Sequence, residues 1–170
     1  SITVARLAKP APAPARDHAD LPQASVIILT RNRAASLIRT LQAVQAQDYP
    51  HYEIIVVDNC STDNTWTIIG RLASEDPRIR CFRNTENIGP VRNWIAAAEH
   101  ATGEYCKILW SDDLMSPAFV ALAVDAFLRH EDLAFVYSSV EFINDNGAVI
   151  GKPSSCVAAF SLTLEYSPNR

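Results

Sequence analysis

The chain has 170 residues, with 15 Lys+Arg against 19 Asp+Glu for a net charge of −4, and 48% of it is hydrophobic. That length suits one globular domain with a substantial buried core. An acidic balance excludes a general nucleic-acid binder, which calls for a basic face or stripe. The longest apolar run, seven residues from Ala118 to Val124, is too short for a membrane span. No basic-then-apolar leader opens the chain, so no secretory signal is expected. The cysteines Cys60, Cys81, Cys106 and Cys156 are scattered without a C-x-x-C pair. They read as reduced core thiols of a cytoplasmic protein and not as a disulfide frame or a zinc site.

Residues 1–24 hold four of the ten prolines, with the alternation Lys9-Pro10-Ala11-Pro12-Ala13-Pro14. Alternating Pro and Ala favours extended, solvated backbone, so a flexible tail is expected there and a folded domain over 25–170. Ser25-Val-Ile-Ile-Leu-Thr30 is a β-branched run that suits a strand covered on both faces. Leu37, Leu41 and Val44 then recur at helical spacing over 34–47, and Tyr49-Pro50 ends that helix. Glu53 to Asp58 reads as a second buried strand. Ser61 or Thr62 is placed to cap a helix through about Ala73, with Asp63 near its positive end.

Ile79 to Phe82 makes a short third strand, and Gly89-Pro90 starts a helix with proline where its missing N–H costs little. Tyr105 to Trp110 is a fourth strand, Ser116-Pro117 opens a helix to about Arg129, and Leu133 to Val140 is expected as a fifth strand. Asp145-Asn146-Gly147, between Phe142-Ile143 and Val149-Ile150, is a hairpin signal. Four strand–helix alternations predict an α/β fold, a mostly parallel sheet flanked by helices, followed by antiparallel pieces.

Ligands of open α/β sheets collect at the carboxyl ends of the strands. Thr30-Arg31-Asn32-Arg33 follow strand one, Asp58-Asn59-Cys60-Ser61 follow strand two, and Ser111-Asp112-Asp113 follow strand four. Arg92 and Asn93 lie in the first turn of the helix begun at Pro90. Adjacent carboxylates such as Asp112 and Asp113 repel unless a cation or donors balance them. Hard oxygen ligands suit Mg²⁺ or Mn²⁺, which keep waters and take up substrate phosphates. Arg92 near a helix N-terminus suits the same phosphates, and Asp58 is an acceptor for a base or a ribose hydroxyl. Taken singly, each has a plainer reading: an Asp-Asp turn, an N-cap at Asp58, a surface ion pair at Arg92. Their convergence on one edge points to a metal-dependent site for a nucleoside diphosphate. No G-x-G-x-x-G, Walker loop or G-x-S-x-G elbow is present.

Four ordered motifs resemble family 2 glycosyltransferases: Ser25-Val-Ile-Ile-Leu-Thr-Arg-Asn-Arg33, Glu53-Ile-Ile-Val-Val-Asp-Asn-Cys-Ser-Thr-Asp63, Asn87-Ile-Gly-Pro-Val-Arg-Asn-Trp94 and Gly103-Glu-Tyr-Cys-Lys-Ile-Leu-Trp-Ser-Asp-Asp-Leu114. The resemblance covers about Ser25 to Gly151. It implies the GT-A fold, a nucleotide-sugar donor (a UDP-sugar favoured), a divalent metal, and a saccharide or lipid-linked acceptor. It further implies cell-surface polysaccharide synthesis, in the cytoplasm or at the inner face of the membrane. Carried over by position, Thr30, Arg31 and Asn32 line the nucleoside pocket, Asp58 accepts from the base, and Arg92 meets the base or diphosphate. Asp112 and Asp113 hold ribose and metal. Arg31 departs from a common aromatic, Asn59 from a frequent second aspartate, and Trp110 from the first acid of the longer acidic motif.

After the hairpin the one acid is Glu165, with nothing to mark it as a general base, so donor binding without efficient transfer is expected. Three other readings stand beside this one. A sugar-phosphate nucleotidyltransferase wants a glycine-rich loop after strand one, and a phospho-receiver wants its acid pair there. A catalytically silent nucleotide-sugar-binding module asks for no general base at all.

Overall fold

The computed structural model describes residues 20–130, 132–144 and 146–152. Its elements are β1 (Ala24–Thr30), α1 (Ala34–Gln45), β2 (Tyr52–Asp58), α2 (Thr65–Glu75), β3 (Ile79–Arg83), α3 (Pro90–Ala98), β4 (Tyr105–Trp110), α4 (Phe119–Arg129), and the two short strands β5 (Phe142–Ile143) and β6 (Val149–Gly151). The first four strands form one parallel sheet in the order β3-β2-β1-β4.

Every residue of β1 and β2 is buried, which is why both read as unbroken β-branched runs and not as alternations. Strand parity divides them between two cores. Val26, Ile28, Ile54 and Val56 pack with Leu37, Leu41 and Val44 of α1, Ile69 of α2 and Val124 and Phe127 of α4. Ile27, Leu29, Ile55 and Val57 pack on the opposite face with Ala97 of α3. Each such aliphatic side chain contributes about 1.5–3 kcal/mol on burial, so the β1–β2 centre dominates the fold's stability.

Helices α1 and α2 lie on one face because β1, β2 and β3 step in one direction by right-handed crossovers. The return to β4, on the far side of β1, requires α3 to cross on the other face.

Three expectations are corrected. Residues 21–24 belong to the fold: Ala24 opens β1, the Gln23 carbonyl accepts from Glu104 N at 2.8 Å, and Leu21 packs on the core. Residues 1–19 of the expected tail lie outside the described residues, as do Cys156 and Glu165. Leu133 to Val140 is not a strand. Only Val136 of that run is buried, Leu133 N turns back to His130 O, and among the described residues the backbone meets no ladder partner. Helix α4 begins at Phe119, because Ser116 O and Pro117 O are taken by Gln47 and Asp48. The hairpin forms as β5–β6, with Gly147 at φ +79°.

Candidate functional site

The reversal of strand order falls between β1 and β4, and the loops leaving their carboxyl ends diverge there. They enclose a cleft of about 410 Å³. Its floor is Leu29, Thr30 and Asn59; Gly89, Pro90 and Asn93 of α3 make one wall with Asn87, and Trp110, Ser111 and Asp112 make the other. Arg31 and Arg33 stand at its mouth.

Thr30 is 3% exposed, and its hydroxyl is the one buried side-chain polar atom among the described residues with no hydrogen-bond partner. An orphaned buried hydroxyl costs about 1–3 kcal/mol. Strand parity sets this side chain on the α1-facing side of β1 with Val26 and Ile28, and its register partner is Asp58.

Parity decides what else reaches the cleft. Asp58 shares its strand face with Ile54 and Val56, toward α2. It is fully buried, and its carboxylate accepts from Ser61 N (3.1 Å), from the Ser61 hydroxyl, and from Arg83 Nε (3.1 Å). Arg83 in turn lies over the Trp66 ring of α2. The next residue, Asn59, points the other way and lines the cleft. Its Oδ1 accepts from Asn84 Nδ2 (3.0 Å) and Ile88 N (3.1 Å), and its Nδ2 donates to Asn87 Oδ1 (2.8 Å). Asn84 Nδ2 also donates to Asn93 Oδ1 at 2.7 Å. Four asparagines thus tie the ends of β2 and β3 to the first turn of α3 and hold one wall in place.

Gly89 adopts φ +80° to deliver Pro90 to the start of α3. Helix α3 turns Asn93 and Ala97 inward, so Arg92, one residue and about 100° around the helix, is exposed and does not line the cleft. Asn32 is likewise outside the lining. It sits at φ +52°, accepts from Thr62 N through Oδ1 (2.8 Å) and donates its own N–H to Ser61 Oγ (2.9 Å), clasping the β1–α1 loop to the β2–α2 loop.

The acidic loop closes the remaining side. Asp112 lies 3.8 Å from Arg33, with both side chains more than half exposed, a contact worth little in water. Burial and the neighbouring Asp112 charge raise the pKa of the Asp113 carboxyl, against the pull of Lys107. Lys107 is itself pushed down to about 8 by burial, partly offset by Asp113. No three carboxylate, histidine or cysteine side chains converge among the described residues. A cation here therefore needs ligand oxygens beside those of Asp112 and Asp113. That donor set fits Mg²⁺ or Mn²⁺ shared with a diphosphate.

Of the expected residues, Thr30, Arg31 and Asp112 line the cleft, Asp113 adjoins it, and Asn32, Asp58 and Arg92 do not reach it. Sequence reasoning missed Asn59, Asn87, Asn93 and Trp110. Strand parity would have found Asn59 and Trp110, because both continue the α3-facing set of their strands.

A parallel α/β sheet with a polar cleft at its switch point belongs to the class of domains that bind ligands at the carboxyl ends of their strands. The profile of glycosyl transferase family 2 matches residues 25–160, and the chain belongs to that family. It is 35% identical over 121 residues to the GalNAc(5)-diNAcBac-PP-undecaprenol beta-1,3-glucosyltransferase of Campylobacter jejuni, covering 70% of this chain and 38% of that protein. It is 32% identical over 130 residues to the chondroitin synthase of Pasteurella multocida, covering 76% of this chain and 13% of that one. Among solved structures, the mannosyltransferase PcManGT from Pyrobaculum calidifontis in complex with GDP-Man and Mn²⁺ superposes with a TM-score of 0.60 at 32% identity, covering 75% of this chain and 38% of the other. The 1–349 portion of TarS from S. aureus in complex with UDP-GlcNAc gives 0.60 at 28% identity, covering 64% and 32%. The chain spans between 13% and 52% of the length of such curated relatives. Among the described residues, no helix is long and apolar enough to cross a membrane.

Proposed function

We propose that the cleft binds the nucleoside-diphosphate part of a sugar donor, as the donor half of a metal-dependent glycosyltransferase. The observation that carries this is a polar cleft at the carboxyl ends of β1 and β4, lined by Asn59, Asn87 and Asn93 and bounded by Arg31, Arg33 and Asp112. Asn93 contacts the nucleoside with Thr30 in the floor beneath it, Asn59 braces that wall, and Asp58 supports the loop below. Arg31 offers a guanidinium plane against the base, where a ring would otherwise stack. Arg33 meets the diphosphate once the ligand draws it from Asp112, and Arg92, outside the cleft lining on the exposed side of α3, would have to swing its side chain over the rim to join it.

Asp112 and Asp113 would hold Mg²⁺ or Mn²⁺, which when bound neutralises the charge of the departing diphosphate. A UDP-sugar donor is supported by TarS, whose structure holds UDP-GlcNAc; PcManGT holds GDP-Man, which makes the base a matter for experiment. A saccharide or lipid-linked acceptor is supported by relatives named for undecaprenol-linked substrates, and a place in cell-surface polysaccharide synthesis by one named for teichuronic acid biosynthesis.

Calorimetry with UDP and GDP, in Mn²⁺ and in chelator, tests this reading. Binding tightens with the metal, and Asp113→Asn loses about tenfold of that gain, the equivalent of ~1.4 kcal/mol. Equal affinity in chelator refutes metal dependence, and no affinity for either nucleotide refutes the site.

A further inference from the structure

Helix α1 touches the acidic loop along its whole length. Arg33, just before the helix, faces Asp112. Near the C-terminal end, Gln47 Nε2 donates to Ser116 O (2.8 Å), Gln47 Oε1 accepts from Val120 N (3.1 Å), and Asp48 N donates to Pro117 O (2.9 Å). Between these, the Thr40 hydroxyl donates to the carbonyl of Asp113 at 2.9 Å. Thr40 is fully buried in the α1 stripe with Leu37, Leu41 and Val44. A threonine inside a helix ordinarily returns its hydroxyl to the carbonyl one turn back. Here it is spent instead on a residue 73 positions away.

We propose that Thr40 is a positioning residue for the acid pair: its hydroxyl fixes the carbonyl of Asp113 and so holds the loop that presents Asp112 to the cleft with Asp113 beside it. The Gln47 and Asp48 bonds anchor the downstream part of the loop, and the Asp113 N–H closes a turn on Trp110 O at 3.1 Å. Thr40 supplies the restraint on the carbonyl side of Asp113. Without it, that carbonyl faces a methyl group, and the backbone dihedrals at Asp113 lose the restraint that fixes its carboxylate relative to that of Asp112. Two carboxylates bind one cation well only when pre-set, so the loss falls on metal affinity before it falls on folding.

The inference rests on the reading that Asp112 and Asp113 hold a divalent cation, and the experiment keeps the two apart. Thr40→Val removes the hydroxyl at nearly constant shape, and Thr40→Ser keeps it. In the metal-free chain, hydrogen exchange of the peptide spanning 110–118 becomes about three- to tenfold faster in Thr40→Val, the loss of one net hydrogen bond. Mn²⁺ alone, followed by the fall of its free-ion paramagnetic resonance signal, half-saturates at a concentration higher by a similar factor. Thr40→Ser restores both, while the exchange of β1 and β2 is the same in all three proteins. If Thr40→Val does not fold, Thr40→Ala replaces it under the same two measurements.

Wild-type Mn²⁺ affinity in the Val or Ala variant overturns the proposal, even where the loop exchanges faster, because the role is then structural alone. If the wild-type chain binds no Mn²⁺, the metal reading fails. The exchange measurement then decides Thr40, and unchanged protection over 110–118 overturns it.

Discussion

Thr30→Val separates ligand binding from folding, because the buried hydroxyl weighs on stability and lies out of a ligand's reach. The Thr30 side chain is buried at the end of β1, and its hydroxyl has no partner in the unliganded chain. Valine has nearly the same shape and an equal preference for strands, so the packing with β2 and α1 is kept. The unfolded chain solvates the threonine hydroxyl; the folded chain buries it unsatisfied, at a cost of about 1–3 kcal/mol. Replacing it should stabilise the free protein by roughly 1–2 kcal/mol, a rise in melting temperature of about 2–8 °C for a chain of this size. The hydroxyl is closed to solvent and faces α1, so nucleotide affinity should be unchanged. Thr30→Ser is the mirror control: it keeps the hydroxyl and the affinity, and loses about 1 kcal/mol of methyl burial. The assays are a calorimetric melt without ligand and a UDP titration with Mn²⁺. A lower melting temperature in Thr30→Val shows that the hydroxyl is satisfied in the free protein. A loss of nucleotide affinity in Thr30→Val would show that the hydroxyl faces the ligand after all.

The amino ends of the strands carry the remaining predictions. Glu53 is 6% exposed and accepts from the Ser25 hydroxyl, Thr102 N, the Thr102 hydroxyl and Arg80, each at 2.7 Å. Glu53→Gln should cost about 2–4 kcal/mol in urea unfolding, because an amide N–H₂ then faces donors and Arg80 loses its charge partner. Burial raises the Glu53 pKa, but the hydrogen bonds from Arg80, Ser25 and Thr102 outweigh it, so its carboxyl lies below the ordinary 4.5. Hydrogen bonds from Arg78 likewise hold Asp76 well below the carboxylate range, against its burial. Both carboxyls have a folded pKa lower than the unfolded one. Their stabilisation is complete above the ordinary carboxylate range and is lost as pH falls through and below about 4.5. Glu53→Gln should flatten that acid limb, and an unchanged limb would refute the assignment. Gly103→Ala would place a methyl 2.7 Å from Ala24 C and Ser25 N and 2.8 Å from Gln23 O, all backbone. It should cost about 1–3 kcal/mol or more, and a melting temperature equal to wild type would show that the close approach is relaxed.

The sequence by itself determined the alternating elements and the edge at which chemistry collects. Buried parallel strands must be apolar on both faces, so Val26 to Leu29 and Ile54 to Val57 announce themselves without any neighbour in view. The acid pair after β4, Thr30 after β1 and Gly89-Pro90 before α3 are local signals and were legible for the same reason. Which of two adjacent residues enters the cleft was decided by the tertiary structure. Asp58 and Asn59 differ by one step of strand parity, and Arg92 and Asn93 by one step around a helix. Which step faces inward depends on the face over which α3 crosses, a property of strand order and not of local spacing. The failed strand at 133–140 has the same origin, since a ladder needs a neighbour that no local pattern supplies. Contacts such as Thr40 with Asp113 and Glu53 with Thr102 join residues 73 and 49 positions apart. They exist because the chain brings distant segments to one layer, and only the folded backbone sets the distance and angle a hydrogen bond requires.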